Sequence, residues 1–175
     1  DPGLRPEQVL KDSLGLGDDD RVHRVRMSRL DQRENLDPAS VEVREGDYVE
    51  FVSADRGVHA ISFALDSLSS VAAQFLRASG QESSPPLVLP GARFVVLFAG
   101  APPGRYPFVV VGNGGTILTS SDGITWTSRT SGTSNNLNGV TYGNSTFVSV
   151  GAGGTILTSS DGISWTSRTS GTSNN

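Results

Sequence analysis

The chain has 175 residues, a formal net charge of −4 and no cysteine. That length allows one large domain or two small ones, with enough chain to bury a core. With no Cys, and with His23 and His59 as its only histidines, it excludes a disulfide framework, Cys-ligated zinc, iron–sulfur clusters, a thiol nucleophile and a blue-copper thiolate, and a multi-histidine site within one chain lacks donors. Composition also changes along the chain. Residues 1–107 carry 28 of the 32 charged side chains, whereas residues 108–175 carry Asp122, Arg129, Asp161 and Arg168 alone. The later part holds seven of the eight Asn and both Trp in a Ser/Thr/Gly majority. Such a shift marks a junction between segments of different origin. Neither segment has a basic excess, so nucleic acid and anionic lipid are poor partners. No apolar run approaches the roughly 18 residues of a transmembrane segment.

In chain order, residues 1–20 read as a lead-in, with a short helix over Pro6–Leu14 and a solvated acidic run, Asp18-Asp19-Asp20. Strands are expected over Val22–Arg29, Ser40–Arg44, Tyr48–Ser53 and Val58–Phe63, with Glu45-Gly46-Asp47 as a turn. Val41/Val43, and Val49/Phe51 against Tyr48/Glu50/Val52, give the period of two of a half-buried sheet. Leu68, Val71, Ala72, Phe75 and Leu76 then recur at helical spacing, capped by Asp66 or Ser67 and ended by Gly80. After a polar loop, Gln81–Pro86, strands are expected over Leu87–Leu89, Ala92–Phe98 and Arg105–Val111. Seven or so short strands with one inserted helix argue an all-β, Greek-key sandwich over residues 21–112.

Two stretches of this segment, SVEVREGDYVEFVSADRGVHAISF (Ser40–Phe63) and VLPGARFVVLFAGAPPGRYPFVV (Val88–Val110), resemble the cupredoxin family. The resemblance implies a sandwich built round copper, held by a His on an early strand and by Cys, a second His and usually Met near the last strand. Carried over residue by residue, His59 falls on the first His, Val110 on the Cys and Asn113 near the second His, and no Met follows. A blue site does not form without its thiolate. His59 therefore reads first as a hydrogen-bonded structural residue and only weakly as a metal ligand; no cofactor is expected. His23, among Arg21, Arg24 and Arg26, reads as solvent-facing.

The tail is a repeat. Phe108–Asn136 and Phe147–Asn175 match at 26 of 29 positions with an offset of 39 residues, differing at Val110/Ser149, Asn113/Ala152 and Thr125/Ser164. The full copy reads as strands Gly139–Tyr142, Thr146–Val150, Thr155–Thr158 and Ser164–Arg168, separated by Gly-rich turns. The first copy lacks the lead-in Leu137–Thr146, and GAPPGRYP, the end of the first segment, stands in its place. Four short strands per roughly 40 residues suit a β-propeller blade. SSDGITW (Ser120–Trp126) and SSDGISW (Ser159–Trp165) resemble the Asp-box of sialidase-type and photosystem-assembly-factor-type propellers, with Asp and Gly adjacent rather than one residue apart. The resemblance implies structural roles: Asp122 and Asp161 binding backbone N–H groups in a turn, Gly123 and Gly162 turning the chain, and Trp126 and Trp165 packing beneath. Residues 108–175 thus form about two four-stranded propeller-type units, and strand 108–112 belongs to both segments. Asn113-Gly114 is a type I′ turn signal.

A propeller needs about four to eight blades. The chain is then a piece of a longer array, a protein that pairs blades between chains, or a chimaera. No catalytic constellation is present. Neither His lies in a nucleophile motif, Gly112–Gly115 lacks the Lys-Ser/Thr of a phosphate loop, and nothing in the Asp and Glu spacing singles out an acid–base pair. The leading expectation is a non-enzymatic structural or assembly protein that self-associates through β-repeat edges. A binding module for a glycan or protein ligand is the alternative, and electron transfer is a distant third. A start at Asp1-Pro2-Gly3 fits removal of a signal peptide or a tag, and a Cys-free, Ser/Thr-rich β protein fits a secreted, periplasmic or cell-surface location.

Overall fold

The structure is a computed structural model and describes residues 6–17, 19–30, 33–120 and 126–174. Asp1–Gly3, Asp18, Asp122 and Gly123 lie outside the described residues. In chain order the elements are α1 (Pro6–Leu14), β1 (Val22–Leu30), β2 (Arg33–Asp37), β3 (Tyr48–Ser53), β4 (His59–Phe63), α2 (Ser70–Ser79), β5 (Arg93–Leu97), β6 (Phe108–Gly112), β7 (Ile117–Thr119), β8 (Thr127–Arg129), β9 (Leu137–Gly143), β10 (Thr146–Gly151), β11 (Thr155–Ser159) and β12 (Thr166–Arg168). The fold is all-β with few helices. Among the described residues the strands form three four-stranded sheets, ordered β2-β1-β3-β5, β4-β6-β7-β8 and β12-β11-β10-β9, and none closes into a barrel.

The first sheet departs from expectation at its edge. Ser40–Arg44 forms no strand; Arg33–Asp37 pairs antiparallel with β1 instead, from Leu30↔Arg33 to Arg26↔Asp37. Its pattern is hidden because one of its two buried positions carries a charge: Glu34 and Leu36 turn inward. Val41 and Val43 still lean on the core, but without a ladder. Two later expectations shrink similarly. Leu87 makes a single bridge to His59, and β6 starts at Phe108 rather than Arg105.

Helix α2 lies where its spacing places it, but the cap differs. Ser69 Oγ accepts the Ala72 N–H at 3.2 Å, while Asp66 and Ser67 sit in a 3-10 turn one step earlier. Ala72, Ala73 and Leu76 face the core, Val71 faces solvent, and Gly80 ends the helix in the left-handed region at φ 66°.

The second sheet joins the two segments. β6 pairs with β4 on one side and β7 on the other. β4 therefore occupies the place in the first repeat unit that β9 occupies in the second, and GAPPGRYP does not fill it. One continuous core follows, from Val25 and Phe51 through Val110 to Phe147 and Leu157. Phe108, half-buried, packs against this core, with ring centroids 5.2 Å from Phe51 and 5.8 Å from Phe63.

Asn113-Gly114 does not make a type I′ turn. Asn113–Gly115 is a 3-10 turn, and the positive φ values fall on Gly114 and Gly115. Adjacent residues with φ near +50° occur instead at Asn144 (48°) and Ser145 (56°), the two-residue connection of β9 to β10. The left-handed region is costly for Ser and free for Gly, so Ser145→Gly is expected to raise stability by about 0.5–1 kcal/mol in urea unfolding. A loss of stability would show that the turn adopts another conformation in solution.

Candidate functional site

His59 opens β4, opposite Gly112 of β6, and is fully buried. Its Nδ1 lies 2.7 Å from Glu34 Oε2 on the edge strand β2, and its Nε2 lies 3.0 Å from Asp55 Oδ1 in the loop before β4. Asp55 is further held by the N–H groups of Gly57 at 2.6 Å and Arg29 at 2.7 Å. A neutral imidazole donates one hydrogen bond, and two carboxylates ask for two. The ring therefore carries both protons, or Glu34 carries one. Burial alone would lower the His59 pKa; the hydrogen bond and charge of Glu34, then those of Asp55, outweigh it and raise it. Burial, the largest influence on Glu34, raises its pKa against the pull of His59. Burial would also raise Asp55, but the Gly57 and Arg29 N–H groups and His59 hold it below the usual carboxylate range.

Backbone packs closely round this array. A Cβ on Gly112 would collide with Glu34 and with the Val58 carbonyl, and one on Gly57 would meet Asp55 Oδ1 at 2.7 Å and His59 Nε2 at 3.2 Å. Asn113 Nδ2 also stands against Gly57, so the residue carried over near the second copper histidine does come beside His59. Copper does not fit this donor set. Val110 is a buried hydrocarbon in the ladder opposite Ile61, Asn113 offers an amide, and both His59 nitrogens are engaged by carboxylates. Among the described residues, no group of three or more His, Asp or Glu is arranged to hold a metal ion. His23 is not simply solvent-facing: its Nε2 lies 2.7 Å from Asp47 Oδ2.

The cluster sets a pH dependence. A group whose pKa is raised on folding stabilises fully below its unfolded pKa, and that stability is lost as pH climbs through the folded value. His59 and Glu34 both act in this direction, whereas Asp55, lowered on folding, loses its contribution as pH falls. Urea midpoints are expected to decline as pH is raised past neutrality, and the decline should flatten in Glu34→Gln/His59→Gln. An equally steep decline in that variant would place the titration elsewhere.

In the second repeat unit, Asp161 Oδ1 accepts the N–H groups of Ile163 and Ser164, both at 2.8 Å, and the Ser159 hydroxyl at 2.9 Å. The Ser164 and Ile163 N–H groups hold its carboxyl below the usual range. Gly162 takes φ 73°, and a Cβ there would touch Phe147 and, across the unit boundary, Val109. Trp165 Nε1 donates to the Gly162 carbonyl at 2.9 Å. Trp126, its counterpart in the first unit, donates instead to Ala39 of the sandwich at 2.8 Å and rests on Phe108, centroids 4.9 Å apart. Asp122 and Gly123, which complete that motif, lie outside the described residues.

A cavity of about 490 Å³ opens between the unladdered segment 39–43 and residues 104–108. Val25, Val43, Phe51, Phe63, Phe98 and Tyr106 wall it, with Glu42 and Arg105 also in its lining. Tyr106 turns its hydroxyl to the Pro102 carbonyl at 2.8 Å, which leaves its ring as wall. Compared with known proteins, the chain matches no family model, and no curated protein is similar to it at a significant level.

Proposed function

We propose that this is a non-enzymatic structural protein, a cupredoxin-like sandwich without copper ligands whose propeller-type repeats pair within an oligomer or a longer array. The observation that carries this reading is the completion of the first unit from outside itself. A unit lacking its own first strand takes β4, over five antiparallel pairs from His59↔Gly112 to Phe63↔Phe108. The Glu34–His59–Asp55 array pins that donated strand to β2 and to the loop before it. At the far side of the third sheet, β12 is an exposed edge along its whole length. Among the described residues, no helix is long and apolar enough to cross a membrane. We propose a secreted, periplasmic or cell-surface location, on the Ser/Thr-rich β repeats.

Sedimentation velocity tests the edge. The chain is expected to associate with rising concentration, and Ser167→Lys, which sets a charge on β12, to weaken that association. Association that ignores the charge would remove the edge from the account.

The cavity favours a binding module as a second reading. Its aromatic walls suit an apolar ring compound better than a glycan. In Trp165→Phe, the remaining Trp126 reports from against Phe108, so toluene is expected to alter its emission saturably. An unchanged emission at toluene saturation would dismiss this reading.

A further inference from the structure

The two repeat units present the same surface in two states of cover. In the first unit, Val109, Val111 and Ile117 lie on one face of the second sheet, with Val111 opposite Ile117 and Val109 opposite Thr119. Val111 and Ile117 are 0% exposed. The second unit covers this face: the Cβ position of Gly162 lies 3.4 Å from Phe147 and 3.5 Å from Val109. Its inner residues Val140, Tyr142, Phe147 and Leu157 are buried in one core cluster with Val109, Val111 and Ile117.

The second unit repeats the β6 and β7 part of that outer face on β10 and β11. Val148, Val150 and Ile156 replace Val109, Val111 and Ile117, and Val150 again stands opposite Ile156. Here Val150 is 47% exposed, and Val148 and Ile156 are half-buried. The neighbouring strand differs, with Ala60 and Ser62 of β4 beside the first pair of strands and Gly139 and Thr141 of β9 beside the second. The side chains that pack on β6 and β7 therefore find the same apolar residues in the same register on β10 and β11.

The connecting segment points the same way. After the first unit, Ser131 Oγ donates to the Thr133 carbonyl at 3.1 Å, and the Asn135 N–H donates to Thr133 Oγ1 at 3.1 Å. After the second, Ser170 Oγ donates to the Thr172 carbonyl at 2.8 Å and the Asn174 N–H to Thr172 Oγ1 at 3.1 Å. The first segment uses this shape to reach the next unit: Asn135 Nδ2 donates to Thr155 Oγ1 at 2.9 Å, and the Asn136 carbonyl accepts the Ala152 N–H at 2.9 Å. Asn174 and Asn175 are their sequence counterparts.

We propose that the outer face of the third sheet, centred on Val150 and Ile156, is a docking surface for a further unit of the same 39-residue pattern, seated by its inner Val/Tyr/Phe/Leu face. The proposal rests on the assembly reading and names the surface and its partner. A second copy of the 175-residue chain has no inner face to offer, because Phe108 is turned to Phe51 and Phe63, and Phe147 to the first unit.

The absence of Cys makes the test clean, since Val150→Cys introduces the only thiol. In the 175-residue chain this thiol is expected to react with a water-soluble disulfide reagent at near the rate of a free thiol. In a chain extended by one more copy of residues 137–175, its reaction is expected to slow at least tenfold. Replacing the Phe147 equivalent of the added unit by Asp should restore the fast rate. A thiol equally reactive in the extended chain overturns the proposal, whether the added unit folds elsewhere or stays unfolded, because a fitting face would seat it. Sedimentation of the unextended chain and of Ser167→Lys judges the assembly reading separately. Association with an unprotected thiol would sink this proposal alone, whereas protection without association would keep the surface and remove pairing between chains.

Discussion

His59→Ala is expected to lower the free energy of unfolding by about 3–5 kcal/mol, the range for removing one partner of a buried ion pair. The magnitude follows from what stays behind. Glu34 remains buried, with Oε1 already lacking a hydrogen-bond partner and Oε2 now losing His59. Its edge strand then loses its tie to β4. Asp55 suffers less, because the Gly57 and Arg29 N–H groups still hold it. The double replacement Glu34→Leu/His59→Leu should recover most of the loss, since apolar pairs often match buried ion pairs in net stability. Urea unfolding of the two variants checks both. A loss below about 1 kcal/mol for His59→Ala would mean that water reaches Glu34 at little cost.

The repeat supplies a second comparison, in which the same substitution is made twice. Ile117→Ala is expected to cost about 2–5 kcal/mol, through lost burial and the cavity left in a closed interface. Ile156→Ala removes the same atoms from the same register, but from a half-covered face, and should cost about 1 kcal/mol or less. The two residues differ in cover and not in strand pairing: Ile117 stands opposite Val111 as Ile156 stands opposite Val150. Their difference in chemical unfolding therefore measures what a neighbouring unit contributes. Equal costs would show that the second unit does not seal the first in solution.

Much of the repeat was legible in advance, because it is local. Alternation and Gly-rich turns placed β9–β11 within two residues at each end, and put a strand where the shorter β12 lies. Gly80 fixed the end of α2 by the conformation a helix end demands. What was hidden depended on distant partners. Nothing local marks Arg33–Asp37 as a strand, because its inward Glu34 faces a histidine 25 positions later. Asp55, four residues before His59, was within reach of a spacing argument; Glu34 carried no local signal. The slot in the first unit looked filled by the residues before β6, because adjacency in sequence is the default. The antiparallel pairing of β4 required a long return that no periodicity encodes.

Light-scattering measurement of the native mass of the unaltered chain, over a wide range of protein concentration, tests the account most directly. A protein with an exposed β12 edge is predicted to move from the mass of one chain to multiples of it as concentration rises. The mass of a single chain at every concentration would contradict pairing between chains through the β12 edge.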